Sequence, residues 1–223
     1  MAGRGIEVLR KAGCEVKVGV LEKECTELNK AFFTVQLKHR PFITLKWAQS
    51  ADGYMDVIRE SGQPVILSSS YTQMIAHKRR AEHQAIMVGT RTALLDNPSL
   101  SVRSWCGPQP LRVVVDRQLK LPRHLHLFDG TQPTLVITEK KEPVVGCSTF
   151  QANFSHSILP QLMEELLRRN IQSLLVEGGT TLLQSFLDED MWDEAYVEHY
   201  PQVLGHGILS PSLIIPKKTS KKK

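Results

Sequence analysis

The sequence predicts an α/β protein, a mostly parallel sheet flanked by helices, and three observations carry that expectation. Short apolar runs such as Ala85–Val88 and Leu174–Val176 are continuous rather than alternating, as strands covered on both faces require. Segments of helical period lie between them, the alternation that builds βαβ units and a parallel sheet. Two runs, Thr44–Gly53 (TLKWAQSADG) and Leu175–Leu182 (LVEGGTTL), pass from apolar residues into small and polar ones. Strand ends of this kind are where open α/β sheets bind ligands.

Taken in chain order, Ile6 and Leu9 sit in a short helix that Gly13 can terminate. Cys14, Val16, Val18 and Val20 alternate with Glu15, Lys17 and Gly19, which predicts a strand. Leu21, Cys25, Leu28 and Phe32 follow at helical spacing, and Lys38-His39-Arg40-Pro41 marks a boundary. Predicted strands of the main body are Phe42–Ala48, Ala85–Val88, Leu111–Val115, Thr134–Ile137, Ser173–Val176 and Ala195–His199. Helices are expected from Ser69 or Ser70 to about Arg80, from Ile158 to Arg168, and after Gly179 through Leu182, Leu183, Phe186 and Leu187.

The chain has 223 residues, enough for one large domain with an appendage, and ordinary proportions of hydrophobic (41%) and charged (23%) residues. Its net charge of +5 rests on a tail, because Lys217, Lys218, Lys221, Lys222 and Lys223 are all in the last seven residues. Without them the body is neutral, which argues against nucleic-acid binding. Cys14, Cys25, Cys106 and Cys147 form no C-x-x-C pair; Cys14 and Cys25 fall at apolar positions of their segments, so buried free thiols there and a reducing compartment are expected. No apolar run is long enough to span a membrane, and no signal-peptide stretch opens the chain. A cytoplasmic protein is expected.

The common catalytic signatures are missing: there is no G-x-G-x-x-G, P-loop, G-x-S-x-G or H-E-x-x-H, and no zinc-deaminase pair. The eight histidines do not cluster at metal spacing, so no metal is expected. Gly89-Thr90-Arg91-Thr92 follows a strand and offers N–H and O–H donors suited to a diphosphate, although a turn glycine and a helix cap fit the same residues. Arg80 and Arg103 can hold a phosphate bidentately, and either can equally be a solvated charge. Arg117 follows Asp116 at a strand end, where it can face the extra phosphate of NADPH. Glu177, after three buried-type residues, needs partners, and ribose hydroxyls are natural ones.

Thr44–Gly53, DNPSLSVR at Asp96–Arg103, LRVVVD before Arg117 and VEGG at Val176–Gly179 resemble the reductase domain of the bacterial riboflavin-biosynthesis deaminase–reductase. Asp193-Glu194 to Pro201, with Leu204-Gly205, fits the same pattern. The likeness covers roughly residues 41–208. Residues 1–40, with GRGIEVLRKAG and GVLEKEC, resemble the end of the partner deaminase domain and its linker. The expected division is thus a deaminase remnant over 1–40, a reductase domain over 41–210 and a basic tail over 211–223.

The resemblance implies a dihydrofolate-reductase-like fold, a homodimer, and NADPH-dependent reduction of 5-amino-6-(5-phosphoribosylamino)uracil to the ribitylamino product, without deaminase activity. A pyrimidinone reductase of the same pathway and a catalytically weak binding fragment are the alternatives. By the same resemblance Ala48, Ile66, Thr92, Asp96, Arg117 and the Gly179–Ser185 stretch match cofactor-contacting positions. Gly178, Thr180 and Thr181 belong to that cofactor set. Arg80, Leu100, Arg103 and Glu177 match substrate-contacting positions, and Lys46 lies near the sugar. Lys46 and Glu177 are the catalytic candidates. A family serine falls on Pro64, which has neither hydroxyl nor N–H. The family also continues into a further strand where this chain ends in Leu213-Ile214-Ile215-Pro216 and lysines, so a missing edge strand is expected.

Overall fold

The computed structural model describes residues 3–59 and 63–213. Three helices open the chain: α1 (Arg4–Lys11), α2 (Glu22–Leu28) and α3 (Lys30–Lys38). The body follows as β1 (Phe42–Gln49), β2 (Tyr54–Asp56), α4 (Ser70–Glu82), β3 (Ala85–Val88), α5 (Thr90–Asp96), β4 (Leu111–Val115), β5 (Thr134–Thr138) and β6 (Ser148–Gln151). It closes with α6 (Ile158–Arg168), β7 (Ser173–Val176), α7 (Thr180–Asp188), β8 (Glu194–His199) and β9 (Ile208–Leu209). Seven strands form one sheet in the order β6-β5-β4-β3-β7-β1-β8, every neighbouring pair parallel. β2 and β9 pair antiparallel as a separate small sheet.

The unbroken apolar runs have a direct cause. Met87, Val113, Leu135, Leu174 and Val176 point into a core closed by α6 and α7, through Leu159, Leu162, Leu166, Leu183 and Phe186. Their chain neighbours Ile86, Val88, Val114, Val136 and Leu175 point into a second core with Ala93, Leu100, Leu121 and Leu127. Both faces are thus dry, so the period of two leaves no polar trace. Helix starts follow the predicted chemistry: the Ser69 side chain accepts from Thr72 N–H at 3.1 Å, and Ser157 does the same for Leu159 at 3.2 Å.

The N-terminal arm departs from expectation. Residues 14–19 form no ladder, and Val18 and Val20 are more than half exposed, because no strand lies alongside to use the alternation. The predicted continuous helix over Leu21–Phe32 is two helices. The break falls at Asn29, whose backbone leaves helical geometry (φ −107°, ψ 22°) while its Nδ2 joins its own N–H on Cys25 O, at 2.8 and 3.1 Å. Cys14 and Cys25 are exposed rather than buried, Cys106 is exposed as well, and Cys147 is half-buried; all four are free thiols. The arm's apolar positions have little in this chain to pack against. β6, β2, β9 and α5 were not foreseen as elements; each is seven residues or shorter, too short for a periodicity to declare itself. β8 and β6 are the two sheet edges among the described residues, and the lysine tail lies outside them.

Asp193 joins the arm to the sheet. Its side chain is only 6% exposed; Arg40 reaches its two oxygens at 2.5 and 3.0 Å, Lys38 pairs with it at 2.5 Å, and Ile43 N–H donates at 2.9 Å. Burial pushes this carboxyl up, but Arg40, Lys38 and the Ile43 amide outweigh it and hold it below the ordinary range. A depressed carboxyl contributes stability above its unfolded value near 4, and the contribution disappears as pH falls through the lower folded value. Asp193→Asn should therefore cost about 2 kcal/mol in urea unfolding at pH 7. The gap from wild type should narrow as pH falls below about 4; a gap independent of pH would refute this role.

Candidate active site

From β3 the chain steps outward through β4, β5 and β6, then returns to insert β7 between β3 and β1 and place β8 beyond β1. The direction of strand addition reverses at the carboxyl ends of β3, β7 and β1, the place where open α/β sheets bind ligands. Glu177 is the first residue past β7, and its N–H donates to Met87 O of β3 at 2.9 Å. Because β7 is paired on both sides, that carboxylate is delivered to the middle of the sheet's edge.

Glu177 is 11% exposed at its side chain and faces Arg80 of α4. The Arg80 guanidinium donates from Nε at 3.2 Å and from Nη2 at 2.7 Å to the two carboxylate oxygens. Its third contact, Nη1 to Ser101 O at 3.2 Å, reaches the loop after α5. Burial pushes the Glu177 carboxyl up; Arg80, with smaller help from Lys46 and His77, reverses this and holds it below the usual range. Lys46 is half-buried on β1, beside Tyr196 of β8. Glu177, Arg80 and Lys46, proposed from separate stretches, thus act on one another.

The loop 97–103 supplies the next wall. Asn97 and Leu100 adopt the left-handed region, at φ 40° and 53°, and Leu100 is buried as an anchor in the second core. Gln109 clamps Val102 through both its N–H and its C=O, at 2.7 and 2.9 Å. Arg103 N–H donates to His77 Nδ1 at 3.1 Å. The Arg103 side chain is exposed and touches Ser99 Oγ at 3.3 Å. Leu100 therefore positions backbone, while Arg103 offers a guanidinium to solvent.

Two helix starts form the other wall. α5 begins after Gly89 and α7 after Gly179, and neither has a side-chain cap, unlike α4 and α6. A Cβ on Gly178 would lie 2.7 Å from Leu182 Cδ2, and one on Gly179 would lie 3.3 Å from Thr92 Oγ1. Gly179 lets the α7 start approach α5 closely, and Gly178 makes room for Leu182 of α7 itself. Thr90 Oγ1 donates to Val115 O at 2.5 Å, and Thr180 Oγ1 donates to Leu209 O at 2.5 Å, so the two hydroxyls brace the helix starts against β4 and β9. Thr181 is exposed beside them. The uncapped first-turn N–H groups fit a diphosphate.

The remaining predicted residues are more dispersed. Ala48 is half-buried near the carboxyl end of β1. Asp96 closes α5 and is ion-paired with Arg59, which also binds Asp56 at 2.7 Å. Ile66 is 66% exposed in the segment before α4, and Pro64 is exposed in the same segment. Arg117 stands at the end of β4 with its Nε on Glu139 at 2.6 Å. That contact holds the Glu139 carboxyl down.

Two residues of this neighbourhood escaped sequence reasoning. His77 lies one turn before Arg80 on α4, a spacing that places both on one helix face and was the available signal. Asp52 accepts from Ser50 Oγ at 2.6 Å and from the N–H groups of Leu204 and Gly205, which pins the turn after β1 to the loop after β8. The Ser50 hydroxyl leads the contacts that hold its carboxyl down to about 2. A separate cleft of about 920 Å³ lies between the N-terminal arm and the sheet, lined by Lys23, Leu28, Phe42, Arg79, His83 and Tyr196, and does not include Glu177. Among the described residues no group of three or more His, Cys, Asp or Glu is placed to hold a metal ion.

Comparison with known proteins gives a consistent result. A family model described as the RibD C-terminal domain matches residues 41–220. The riboflavin biosynthesis protein RibD of Aquifex aeolicus is 37% identical over 214 residues, covering 93% of this chain and 60% of that protein. The RibD of Bacillus amyloliquefaciens is 35% identical, covering 96% of this chain and again 60% of its own length. The chain thus spans about 60% of these relatives. A crystal structure from Thermotoga maritima, described as a diaminohydroxyphosphoribosylaminopyrimidine deaminase/5-amino-6-(5-phosphoribosylamino)uracil reductase, superposes with a TM-score of 0.84 at 30% identity. That match covers 97% of this chain and 62% of the other. Acinetobacter baumannii RibD gives a TM-score of 0.83 at 26% identity, covering all of this chain and 63% of the other. The parallel sheet is accordingly the dihydrofolate-reductase-like sheet of these reductase domains, and the chain belongs to the RibD C-terminal domain family.

Proposed function

We propose that this chain is the reductase of riboflavin biosynthesis that acts on 5-amino-6-(5-phosphoribosylamino)uracil with NADPH. The observation that carries the reading is Glu177: a carboxylate kept ionised at the switch point, between a lysine-bearing strand and two glycine-lined helix starts. Family membership narrows the chemistry to that of the Thermotoga relative's reductase half.

NADPH, when bound, supplies the hydride. The uncapped N–H groups of α5 and α7 and the opening at Gly178–Gly179 suit its diphosphate. Arg117 suits the 2′-phosphate, exchanging Glu139 for it. The sugar must open before its C1′ can accept hydride: the bond from C1′ to the ring oxygen breaks as that oxygen takes a proton and the nitrogen lone pair forms a C=N bond to C1′, and hydride addition at C1′ returns the pair to nitrogen, so one proton and one hydride are added in all. Glu177 is ionised and can only accept hydrogen bonds, so it orients ribose hydroxyls. Lys46 is then the proton donor to the opening sugar. Arg80 has Nε and Nη2 committed to Glu177 and Nη1 to Ser101, so it positions the carboxylate. Exposed Arg103 is the better phosphate ligand.

The direct test is incubation with NADPH and the phosphoribosylaminouracil, following loss of reduced nicotinamide absorbance and a product heavier by two hydrogens. No consumption with this substrate would overturn the assignment, and preference for the diaminopyrimidinone would redirect it. Glu177→Gln should lower kcat about a hundredfold, the loss of one charge-assisted contact in the transition state. Arg103→Ala should raise KM about tenfold with a much smaller change in kcat, since a phosphate grip binds ground and transition states alike. A kcat effect larger than the KM effect would remove Arg103 from that role.

A further inference from the structure

We infer that His77 is a pH-sensitive positioning residue: neutral, it holds the Arg103 loop in the conformation that grips the substrate phosphate; protonated, it releases that loop. The inference deepens the reading of the same site.

His77 is 8% exposed on α4. Its Nδ1 accepts the Arg103 backbone N–H at 3.1 Å. An imidazole nitrogen that accepts a hydrogen bond carries no proton, so this contact exists only for the neutral ring with its proton on Nε2. Protonation turns Nδ1 into a donor facing another donor, in a place with little water to intervene. The charged groups around the ring are Arg80 on its own helix, Arg103 on the facing loop and Glu177 at the end of β7. Burial, then Arg80 and Arg103, push His77 below its ordinary value, and a hydrogen bond to the Ser101 backbone and then the charge of Glu177 oppose them without reversing the direction. The ring is therefore neutral at pH 7.5 and gains a proton only as pH falls below about 6.5. Gln109 fixes the loop one residue earlier, at Val102, so His77 controls the last link before the Arg103 side chain.

The consequence is a loss of phosphate affinity in acid. An added positive charge alone would have the opposite sign and tighten an anion. The two effects are separable with His77→Asn, whose Oδ1 can accept at the Nδ1 position but cannot titrate, and with His77→Ala, which has no acceptor.

Calorimetric binding of ribose 5-phosphate to wild type and both variants should be measured between pH 5 and 8. Protonation of the ligand is common to all three proteins and cancels in the ratios. At pH 7.5 His77→Ala should weaken binding about tenfold, and His77→Asn should recover most of that loss. As pH falls to 5, wild-type affinity should drop several-fold relative to His77→Asn. A constant ratio, or wild type gaining on His77→Asn in acid, would overturn the inference, and so would absence of ribose 5-phosphate binding at pH 7.5. Because the readout is binding, it stands or falls separately from NADPH turnover. In an active preparation the effect should be confined to KM, and a kcat change without a KM change would also refute it.

Discussion

A carboxylate at the end of a buried central strand stays ionised only if a cation is set against it, and the Arg80–Glu177 pair meets that condition. Everything in the candidate site is arranged around this pair. Arg80 reaches Glu177 from α4 while its third contact holds Ser101, so one guanidinium fixes the carboxylate and the loop that carries Arg103. Lys46 adds a second positive charge from β1. The bidentate geometry suits arginine, whose planar fork presents two donors to two oxygens.

Sheet topology makes this convergence possible. β7 is the sixth of the seven sheet strands in the chain, yet it sits between β3 and β1. Its insertion brings the α7 start alongside the α5 start, and glycine at 179 allows the approach. The small β2–β9 sheet and the Asp52 turn then close one end of the site, through Thr180 on Leu209 and Asp52 on Leu204-Gly205. These contacts explain why TLKWAQSADG stands out in the sequence: its polar end builds a turn, and Lys46 within it acts on Glu177.

Buried charge elsewhere serves the fold. Arg112 is fully buried on β4, with its guanidinium shared among Thr134, Asp129 and the carbonyls of His126 and Gln132. It ties β4 to β5 and to the segment between them. Glu165 on α6 is similarly paired, with Arg168 and Arg169. Those networks tie strands and helix turns together, whereas the Glu177 pair sits at the carboxyl end of a central strand and Arg103 is exposed beside it.

The sequence by itself determined the parallel α/β sheet, the strands β3, β4 and β7 to the residue, helix α6, and the glycine-flanked carboxylate at Glu177. These are local signals: continuous apolar runs, serine caps and a fixed helical period. Only the tertiary structure decided that Arg80, Lys46 and His77 surround Glu177, that Leu100 is an anchor rather than a surface residue, and that Arg117 is engaged by Glu139. Distances between residues far apart in the chain follow from strand order, which no local pattern encodes. The same reason explains the failed strand at Cys14–Val20 and the exposed thiols. Alternation states which side of a segment is apolar; only a neighbour in space makes it a strand or a core.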